Sequence, residues 1–284
     1  MVRVTTEALL ADMLMLGEGA AAMFDWLRGL SFVESRADGL FLHDLAREAL
    51  VADVRWRNPD WYAELHKRAR NYYHTRLATT TGSTQQRLLF DLIFLHRDNP
   101  VVRPFLEWQA GGSLDTEPLR DGDLAALTQI VQRHEGRDSA RIAAHWFTRA
   151  AAATQLLRRA DGAPAGFLML VKLNELTPAD LEVDPAARNT WAFLQRKPLR
   201  PGETATLFRF WMDADTYQAV SPTQSLIFVN VVRHYLTTSG LAYTFFPVAD
   251  ANFWAPMLGY ANIVRLPELD FEANGRTYGM YGHD

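Results

Sequence analysis

The sequence contains no cysteine and no long apolar run, and both absences exclude whole classes of protein. Without cysteine the chain cannot form a disulfide, a thiolate nucleophile or a cysteine-ligated zinc site. No apolar stretch approaches the roughly 18 residues that a membrane-spanning helix requires, and the first residues do not show the basic-then-apolar pattern of a signal peptide. We therefore expect a cytoplasmic protein with no membrane segment.

The chain also has no excess of positive charge. Its 29 basic and 33 acidic residues leave a net charge of −4. Proteins that bind nucleic acid through its phosphates usually carry a surplus of lysine and arginine. Nucleic acid is therefore not an expected partner.

Common catalytic and metal-binding motifs are missing as well. The eight histidines are scattered, with no pair at the His-x-x-x-His spacing that would place two zinc ligands on one helix face. The sequence has neither a Gly-x-Ser-x-Gly nucleophile turn nor a Gly-x-x-x-x-Gly-Lys phosphate loop. We expect no metal site, and any catalysis must use other residues.

What is present predicts an α+β protein with two domains. A length of 284 residues suits two domains, and 48% hydrophobic with 22% charged residues is typical of a globular chain. The small, flexible segment Gly111-Gly112-Ser113 predicts the boundary, with domains at residues 1–112 and 113–284. We expect the first domain to be mostly helical and the second to hold a mixed β-sheet flanked by helices.

The first domain is predicted to run helix, helix, hairpin, helix, followed by a helical block. Thr6 suits the N-cap of the first helix, and residues 20–28 place apolar side chains at helical spacing. Short strands are expected at residues 30–34 and 40–42, and further helices at residues 44–56, 61–77 and 85–96.

This order, over residues 20–77, resembles the winged-helix segment behind the nucleotide-binding module of STAND or AAA-type regulatory ATPases. The resemblance implies a relay or docking module whose partner is an ATPase domain or a regulatory protein. A small helical domain without that role is the alternative. DNA binding is disfavoured because the arginines of helix 44–56 share it with three acidic residues, which offset their attraction for phosphate.

The second domain is organised around residues 208–240. An aromatic strand is followed by a polar connector and a long helix, with Ser221 as N-cap and Pro222 in the first helical turn. A helix N-terminus at the end of a strand favours bound anions, because its free N–H groups and the helix dipole both attract negative charge. An ordinary strand–helix unit that binds nothing is the alternative.

The segments around this unit complete the pattern. Strands are expected at residues 116–120, 155–159, 164–173 and 203–212 before the long helix, and helices at 123–133, 139–148 and 184–196. A strand at 241–248, a short helix at 250–258 and a strand at 262–272 follow. Asn274-Gly275 is a strong signal for a tight hairpin turn into a last strand.

Over residues 114–284 this order resembles a GNAT-type N-acyltransferase domain. In that family, the loop after the fourth strand reads Arg/Gln-x-x-Gly-x-Gly/Ala and holds the pyrophosphate of acyl-CoA. Gln218, Ser221 and Thr223 match its spacing, with both glycines replaced. The family's closing Leu-Gly-Phe is matched by the Leu-Gly-Tyr at residues 258–260.

The resemblance implies that acetyl-CoA or another acyl-CoA binds here and that its acyl group passes to an amine. The residues it assigns to the acyl-CoA are Gln218, Ser221, Thr223, Gln224 and Ser225. The tyrosine that the family commonly uses as proton donor falls on Ala255, which has no proton to give. Weak substitutes for the catalytic role are Tyr217, Tyr243 and His234, with Glu175 and Asp180 as weak candidates for a base.

A second hypothesis is a non-catalytic sensor or interaction module of a STAND-type signalling or transcription regulator. The replaced glycines and Ala255 favour this hypothesis, because a degenerate acyl-CoA site needs neither the two loop glycines nor a proton-donating tyrosine. Six aromatic residues of two predicted strands fit either a sheet core or an apolar pocket: Phe208, Phe210, Trp211, Tyr243, Phe245 and Phe246. Whether the chain is part of a longer ATPase regulator stays open.

Overall fold

The computed structural model describes residues 1–77, 79–105, 115–120 and 122–284. They form two compact units, Met1–Asp98 and Asn99–Asp284. The boundary predicted at residues 111–113 lies outside the described residues and stays a prediction. Within the described ranges, no helix is long and apolar enough to cross a membrane.

The N-terminal unit is mostly helical, as predicted. Thr6 caps the first helix, because its hydroxyl accepts a hydrogen bond from the N–H of Leu9 at 3.2 Å. The hairpin begins at Val33, three residues later than predicted. Its elements are α1 (Glu7–Leu14), α2 (Ala20–Arg28), β1 (Val33–Arg36), β2 (Gly39–Leu42), α3 (Asp44–Arg57), α4 (Pro59–Leu77) and α5 (Gly82–Phe94).

The core of this unit lies where α1, α4 and α5 pack together. Leu9, Ala69, Tyr73 and Leu89 are buried there, at the apolar spacing expected of amphipathic helices. The predicted order of helix, helix, hairpin and helix is confirmed. That this unit is a winged helix of the ATPase-associated kind stays a prediction.

The C-terminal unit is the predicted mixed sheet flanked by helices, which confirms the α+β class. Its elements are β3 (Asp115–Pro118), α6 (Asp123–Phe147), β4 (Ala152–Arg158), β5 (Pro164–Lys172), α7 (Pro178–Val183), α8 (Pro185–Arg196), β6 (Thr204–Asp213), α9 (Pro222–Thr237), β7 (Leu241–Val248), α10 (Ala251–Tyr260), β8 (Val264–Arg265), β9 (Phe271–Ala273) and β10 (Arg276–His283). The strand order in the sheet is β3-β4-β5-β6-β7-β10-β8, and β9 pairs with β10.

The strands β6 and β7 run parallel and separate part of the way along. They pair from Thr204 to Leu207 on β6 and from Leu241 to Phe245 on β7. Beyond Leu207, β6 continues against β5 as far as Asp213. The end of β7 continues against β10 instead. The described ladder therefore leaves a gap between the ends of β6 and β7, next to the connection that leads to α9.

A bulge in β6 directs its side chains to two different layers. Between the pairs Leu207–Val171 and Phe210–Met169, β6 contributes one residue more than β5. As a result, Arg209 contacts the N-terminus of α8, whereas Trp211 and Asp213 contact α9. One strand thus presents polar side chains to both faces of the sheet near the gap.

Two segments differ from the sequence prediction. Residues 262–272, predicted as one strand, are divided into β8, a turn at Pro267–Leu269 and β9. Proline cannot donate to a strand ladder, and Arg265 bridges the turn with two hydrogen bonds to Asp270 at 2.5 and 2.6 Å. The predicted helices 123–133 and 139–148 form the single element α6, interrupted by a non-helical Gly136.

The predicted hairpin turn between β9 and β10 is confirmed. It also contacts α6 at the point where that helix is interrupted. Asn274 and Gly275 both have positive φ, 49° and 69°, as a two-residue hairpin turn requires. The amide of Asn274 donates to the carbonyl oxygen of Glu135 at 2.7 Å. A Cβ on Gly136, whose φ is 87°, would lie 2.7 Å from the Asn274 side chain, so only glycine fits.

Candidate functional site

The N-terminus of α9 follows the end of β6, and Ser221 is its N-cap, as the sequence predicts. The Ser221 hydroxyl accepts a hydrogen bond from the N–H of Gln224 at 3.0 Å. The same hydroxyl donates to a carboxylate oxygen of Asp213 at 2.9 Å. The cap therefore joins the helix to the last residue of β6.

Asp213 supplies a negative charge at this helix end. Its other carboxylate oxygen accepts the N–H groups of Asp215 and Thr216 at 2.8 and 3.0 Å. Burial opposes the charged form of Asp213, but these N–H groups and the hydroxyls of Thr223 and Ser221 outweigh it and lower the pKa. The carboxylate is thus ionised at neutral pH and lies at the N-terminus of α9.

The five residues predicted to bind acyl-CoA are all buried. Gln218 accepts the N–H of Ala249, just after β7, at 2.8 Å. The methyl group of Thr223 packs so closely on β5 that a Cβ added at Gly166 would lie 2.6 Å from it. These side chains connect the loop to the sheet.

The other two predicted contacts also point inward. Ser225 donates to the carbonyl oxygen of Ser221 at 2.9 Å. Gln224 is fully buried, and neither its amide oxygen nor its amide nitrogen meets a hydrogen-bond partner in the described part of the chain. A buried amide without partners is costly, since the hydrogen bonds it made with water are not replaced.

The gap between β6 and β7 is filled by Trp211. Its indole N–H donates to the carbonyl oxygen of Pro247 on β7 at 2.8 Å. The rings of Phe246, Trp254 and Phe228 surround it, with centroids 4.8, 5.5 and 5.7 Å away. Trp211 and Asp213 therefore occupy the space and the helix end next to the gap.

The opposite face of the sheet holds a buried acid at the end of β6. Glu135, just before the interruption of α6, accepts a hydrogen bond from the Tyr217 hydroxyl at 2.9 Å. Burial raises the pKa of Glu135, and the nearby positive charge of Arg209 opposes that rise. The second carboxylate oxygen has no partner of good geometry among the described residues, although Ser139 lies near it.

Two tyrosines complete this cluster. Burial raises the pKa of Tyr278 to about 12, and that of Tyr217 rises as well, so both phenols stay protonated. Tyr217 lies at the end of β6, where its backbone pairs with that of Asp213, and its φ is 62°, an uncommon value for tyrosine. The ring of His134 stacks on Tyr217 at 5.3 Å. Glu135, Tyr217 and Tyr278 are called the acid cluster below.

An ion pair lies beside the acid cluster. Asp184 accepts hydrogen bonds from Arg209 at 2.7 Å and from the indole N–H of Trp146 at 2.8 Å. Its other oxygen accepts the N–H of Ala186 at 3.0 Å, which makes Asp184 the N-cap of α8. The pair positions Arg209 close enough to Glu135 to favour the ionised form of that carboxylate.

The remaining catalytic candidates lie apart from the acid cluster. His234 contacts the hydroxyls of Thr206 and Thr238 with its two ring nitrogens, at 3.0 and 3.1 Å. Burial lowers the pKa of His234 to about 4, so its ring is neutral near pH 7. Tyr243 packs against the ring of Phe193 at 5.7 Å. Of the three weak candidates, Tyr217 is the one hydrogen-bonded to the buried Glu135.

The two carboxylates named as weak base candidates have structural partners. Glu175 forms an ion pair with Lys172 at 3.0 Å on the surface. Asp180 is fully buried. Burial opposes its charge, but hydrogen bonds from Thr177, His145 and Arg149 lower the pKa of Asp180 to about 2. This carboxylate fixes the start of α7 and is too weak a base for proton transfer near pH 7.

The sequence reasoning missed the residues that define both faces of the gap. Glu135 falls between the two helices predicted at 123–133 and 139–148, a position that gives no sign of burial. Asp213 ends an aromatic strand, and Trp211 belongs to the same strand. Because a bulge decides which face each side chain meets, alternation along the strand could not assign them. Five of the six aromatic residues prove to be buried in the sheet core, and Tyr243 is half-buried.

The chain matches no protein-family model and no curated protein. It is similar to a solved mutant of spermidine N-acetyltransferase SpeG from Vibrio cholerae, with 14% identity, a TM-score of 0.38, and coverage of 60% of this chain and 93% of that one. For SpeG in complex with manganese ions, the identity is 16%, the TM-score 0.38 and the coverage 61% and 93%. A dodecameric structure of that enzyme gives 15%, 0.37, 60% and 93%. Because these sequence identities and TM-scores are low, the function has to be inferred from the residues of the site.

Proposed function

We propose that the C-terminal unit transfers an acyl group from acetyl-CoA or another acyl-CoA to an amine. The observation that supports this most is the hydrogen bond between Tyr217 and the buried Glu135, beside the gap between β6 and β7. The resemblance of the loop after β6 to that of GNAT-type acyltransferases supports acyl-CoA as the donor. An amine acceptor follows from the same resemblance.

In this proposal, the acid cluster moves the protons of the reaction. The attacking amine must lose a proton, and the leaving thiolate must gain one. Glu135 is buried and Tyr217 is half-buried, so the phenol passes the amine proton inward to the carboxylate. The same route returns a proton to the thiolate, which restores the site. A carboxyl group with a raised pKa suits both steps, because it accepts and releases protons closer to neutral pH.

The donor's place in the proposal is the first turn of α9. The acyl-CoA supplies an activated acyl group, and its pyrophosphate needs N–H donors and positive potential. Pro222 has no N–H, and those of Gln224 and Ser225 bond to Ser221 in the described conformation. The proposal therefore relies on the positive end of the helix dipole and on the hydroxyls of Ser221 and Thr223 at this end. Asp213 and Trp211 oppose this binding in the described conformation. Binding therefore requires a rearrangement at the gap.

Release of free thiol from acetyl-CoA tests the proposal. The chain is incubated with millimolar acetyl-CoA and a panel of primary amines, including polyamines, and thiol is measured with and without each amine. The variant Glu135→Gln is expected to lower kcat about 100-fold or more, the size typical of a lost acid–base group. Tyr217→Phe is expected to lower kcat in the same direction.

The matched control is Glu175→Gln, which removes a surface carboxylate paired with Lys172. Its rate should equal that of the wild type. The proposal is wrong if the wild type releases no amine-dependent thiol, or if Glu135→Gln retains the full rate while folded.

A second candidate function is a non-catalytic sensor or interaction module. Two observations favour it: Ala255 stands where the family's donor tyrosine would be, and Asp213 already places a negative charge at the N-terminus of α9. In this case the N-terminal unit would pass the signal to an ATPase domain or another regulatory protein, as its resemblance to a winged-helix segment implies. Saturable binding of CoA without turnover for any amine would favour this candidate over the transferase.

A further inference from the structure

Trp211 bridges the two strands that part at the gap. Its ring is fully buried, and its N–H donates to the carbonyl oxygen of Pro247 at 2.8 Å. That carbonyl belongs to the stretch of β7 that no longer pairs with β6. The indole therefore takes the place of the missing backbone ladder between the strand ends, and a ligand chain entering the gap would have to displace it.

Asp213 opposes an anionic ligand at the same place by charge. It shares the Ser221 hydroxyl with the N-terminus of α9, and two further N–H groups hold its carboxylate there. A pyrophosphate at this helix end would meet a like charge within a few ångströms. Trp211 thus blocks the linear arm of an acyl-CoA, and Asp213 repels its pyrophosphate.

The conformation in which Trp211 fills the gap also contains two features that lower its stability. Gln224 is fully buried in the first turn of α9 with neither amide atom hydrogen-bonded in the described structure. Tyr217, in the loop between Asp213 and Ser221, holds a φ of 62°. An unpaired buried amide and a positive φ on a bulky residue both disfavour the state that contains them. The loop therefore has features that a rearranged state can relieve.

We propose that Trp211 and Asp213 close the acyl-CoA site of the C-terminal unit, so that acyl-CoA binds only when both side chains are displaced. This inference rests on the proposed function, since it names the device that regulates the same site. Weakening either contact should shift the unit towards the open state and tighten ligand binding. The native chain should bind CoA weakly.

Calorimetric titration of the full chain with free CoA and with acetyl-CoA tests the closure. The informative variants are Trp211→Phe, which removes the N–H donor and part of the ring, and Asp213→Asn, which removes the charge and keeps the shape. Each is expected to lower the Kd for CoA about tenfold or more relative to the wild type. Thermal unfolding of each variant confirms that it is folded.

The matched control is Trp254→Phe. Trp254 belongs to the same ring cluster, 5.5 Å from Trp211, and is also fully buried, but it lies on α10 and does not bridge the strands. This variant should leave the Kd for CoA unchanged. If it tightens binding as much as Trp211→Phe, general loosening of the core explains the gain, and the closure is wrong.

Two further outcomes separate this inference from the proposed function. If the wild type binds CoA as tightly as both variants, the closure is wrong while the transferase proposal stands. If CoA binds to none of the folded proteins at millimolar concentration, both are wrong. Tighter binding by Trp211→Phe and Asp213→Asn, with Trp254→Phe unchanged, supports the closure whether or not any amine is acylated.

Discussion

The two faces of the sheet at the end of β6 differ in how their polar groups are used. On the α9 face, Asp213, Ser221 and the indole N–H of Trp211 all have partners within the chain. On the α6 face, Glu135 is buried with a raised pKa and has one phenol as a partner of good geometry. On the α9 face the groups at the end of β6 are paired, although the buried amide of Gln224 is not. The α6 face retains a carboxyl group that can still exchange a proton.

The polar groups around the end of β6 therefore have two different roles: some stabilise the fold, and others are suited to proton transfer. A satisfied hydrogen-bond network holds its elements in place and resists a ligand that would compete for the same donors. A buried carboxyl group that is only partly satisfied lowers stability but is suited to acid–base chemistry. Under the proposed function, the reaction takes place on the α6 face and access is controlled on the α9 face.

The largest effect on stability is expected from Asp184→Ala, which breaks the support of the α6 face. The substitution leaves Arg209 buried without its carboxylate and removes the N-cap of α8. We expect the free energy of unfolding to fall by about 3–5 kcal/mol, the usual cost of removing one partner of a buried ion pair. Urea unfolding measures it.

The control for that variant is Asp270→Ala. Asp270 pairs with Arg265 at 2.5 Å, but both side chains are about a quarter exposed. The cost should be closer to about 1 kcal/mol because solvent screens the pair. Equal losses for the two variants would mean that Asp184 adds no more support than a surface pair, and the contrast between the faces would weaken.

A smaller and pH-dependent effect is expected on the α9 face from His234. Its pKa is lowered to about 4 by burial, below the value of about 6.5 for an unfolded chain. The contribution to stability is complete above pH 6.5 and is lost as the pH falls towards 4, because the unfolded state binds the proton more readily. The loss is at most about 3 kcal/mol.

The measurement for this prediction is chemical unfolding of the wild type and of His234→Gln at several values between pH 4 and 7. The variant cannot take up the proton, so the difference between the two unfolding free energies should shrink as the pH falls. A constant difference across this range would show that the native state accommodates a protonated ring at position 234.

The smallest effect is expected from the helix caps. Ser221→Ala removes the acceptor for the N–H of Gln224 and should cost about 1 kcal/mol. Thr6→Ala at the start of α1 removes the equivalent acceptor for Leu9 in the other unit. Ser221→Ala should cost more than Thr6→Ala in urea unfolding, since the Ser221 hydroxyl also donates to Asp213. Equal costs would mean that this second hydrogen bond adds nothing to stability.

The sequence alone was enough to predict the features that depend on interactions between neighbouring residues. The caps at Thr6 and Ser221 and the turn at Asn274-Gly275 follow from side-chain hydrogen bonding and backbone preference within a few residues. The succession of helices and strands along the chain was also predicted, apart from the division of residues 262–272 into two strands. Ser221 and Pro222 located the N-terminus of α9, although not the inward direction of the neighbouring side chains.

The rest depends on contacts between distant residues. Glu135 meets Tyr217, more than 80 positions away, only because Gly136 breaks α6 against the hairpin turn at Asn274. The bulge in β6 sends Arg209 and Trp211 to opposite faces, and no local pattern announces it. Burial of a carboxylate and its pKa shift arise from the assembled unit, so they could not be predicted from spacing.

The most direct test of the account is amine-dependent thiol release from acetyl-CoA by the wild type, Trp211→Phe, and the double variant Trp211→Phe with Glu135→Gln. We predict faster release by Trp211→Phe at low acetyl-CoA, because the site opens more readily, and loss of at least 100-fold in the double variant, because the acid is absent. No release by a folded Trp211→Phe chain, or release that survives the loss of Glu135, would contradict the account.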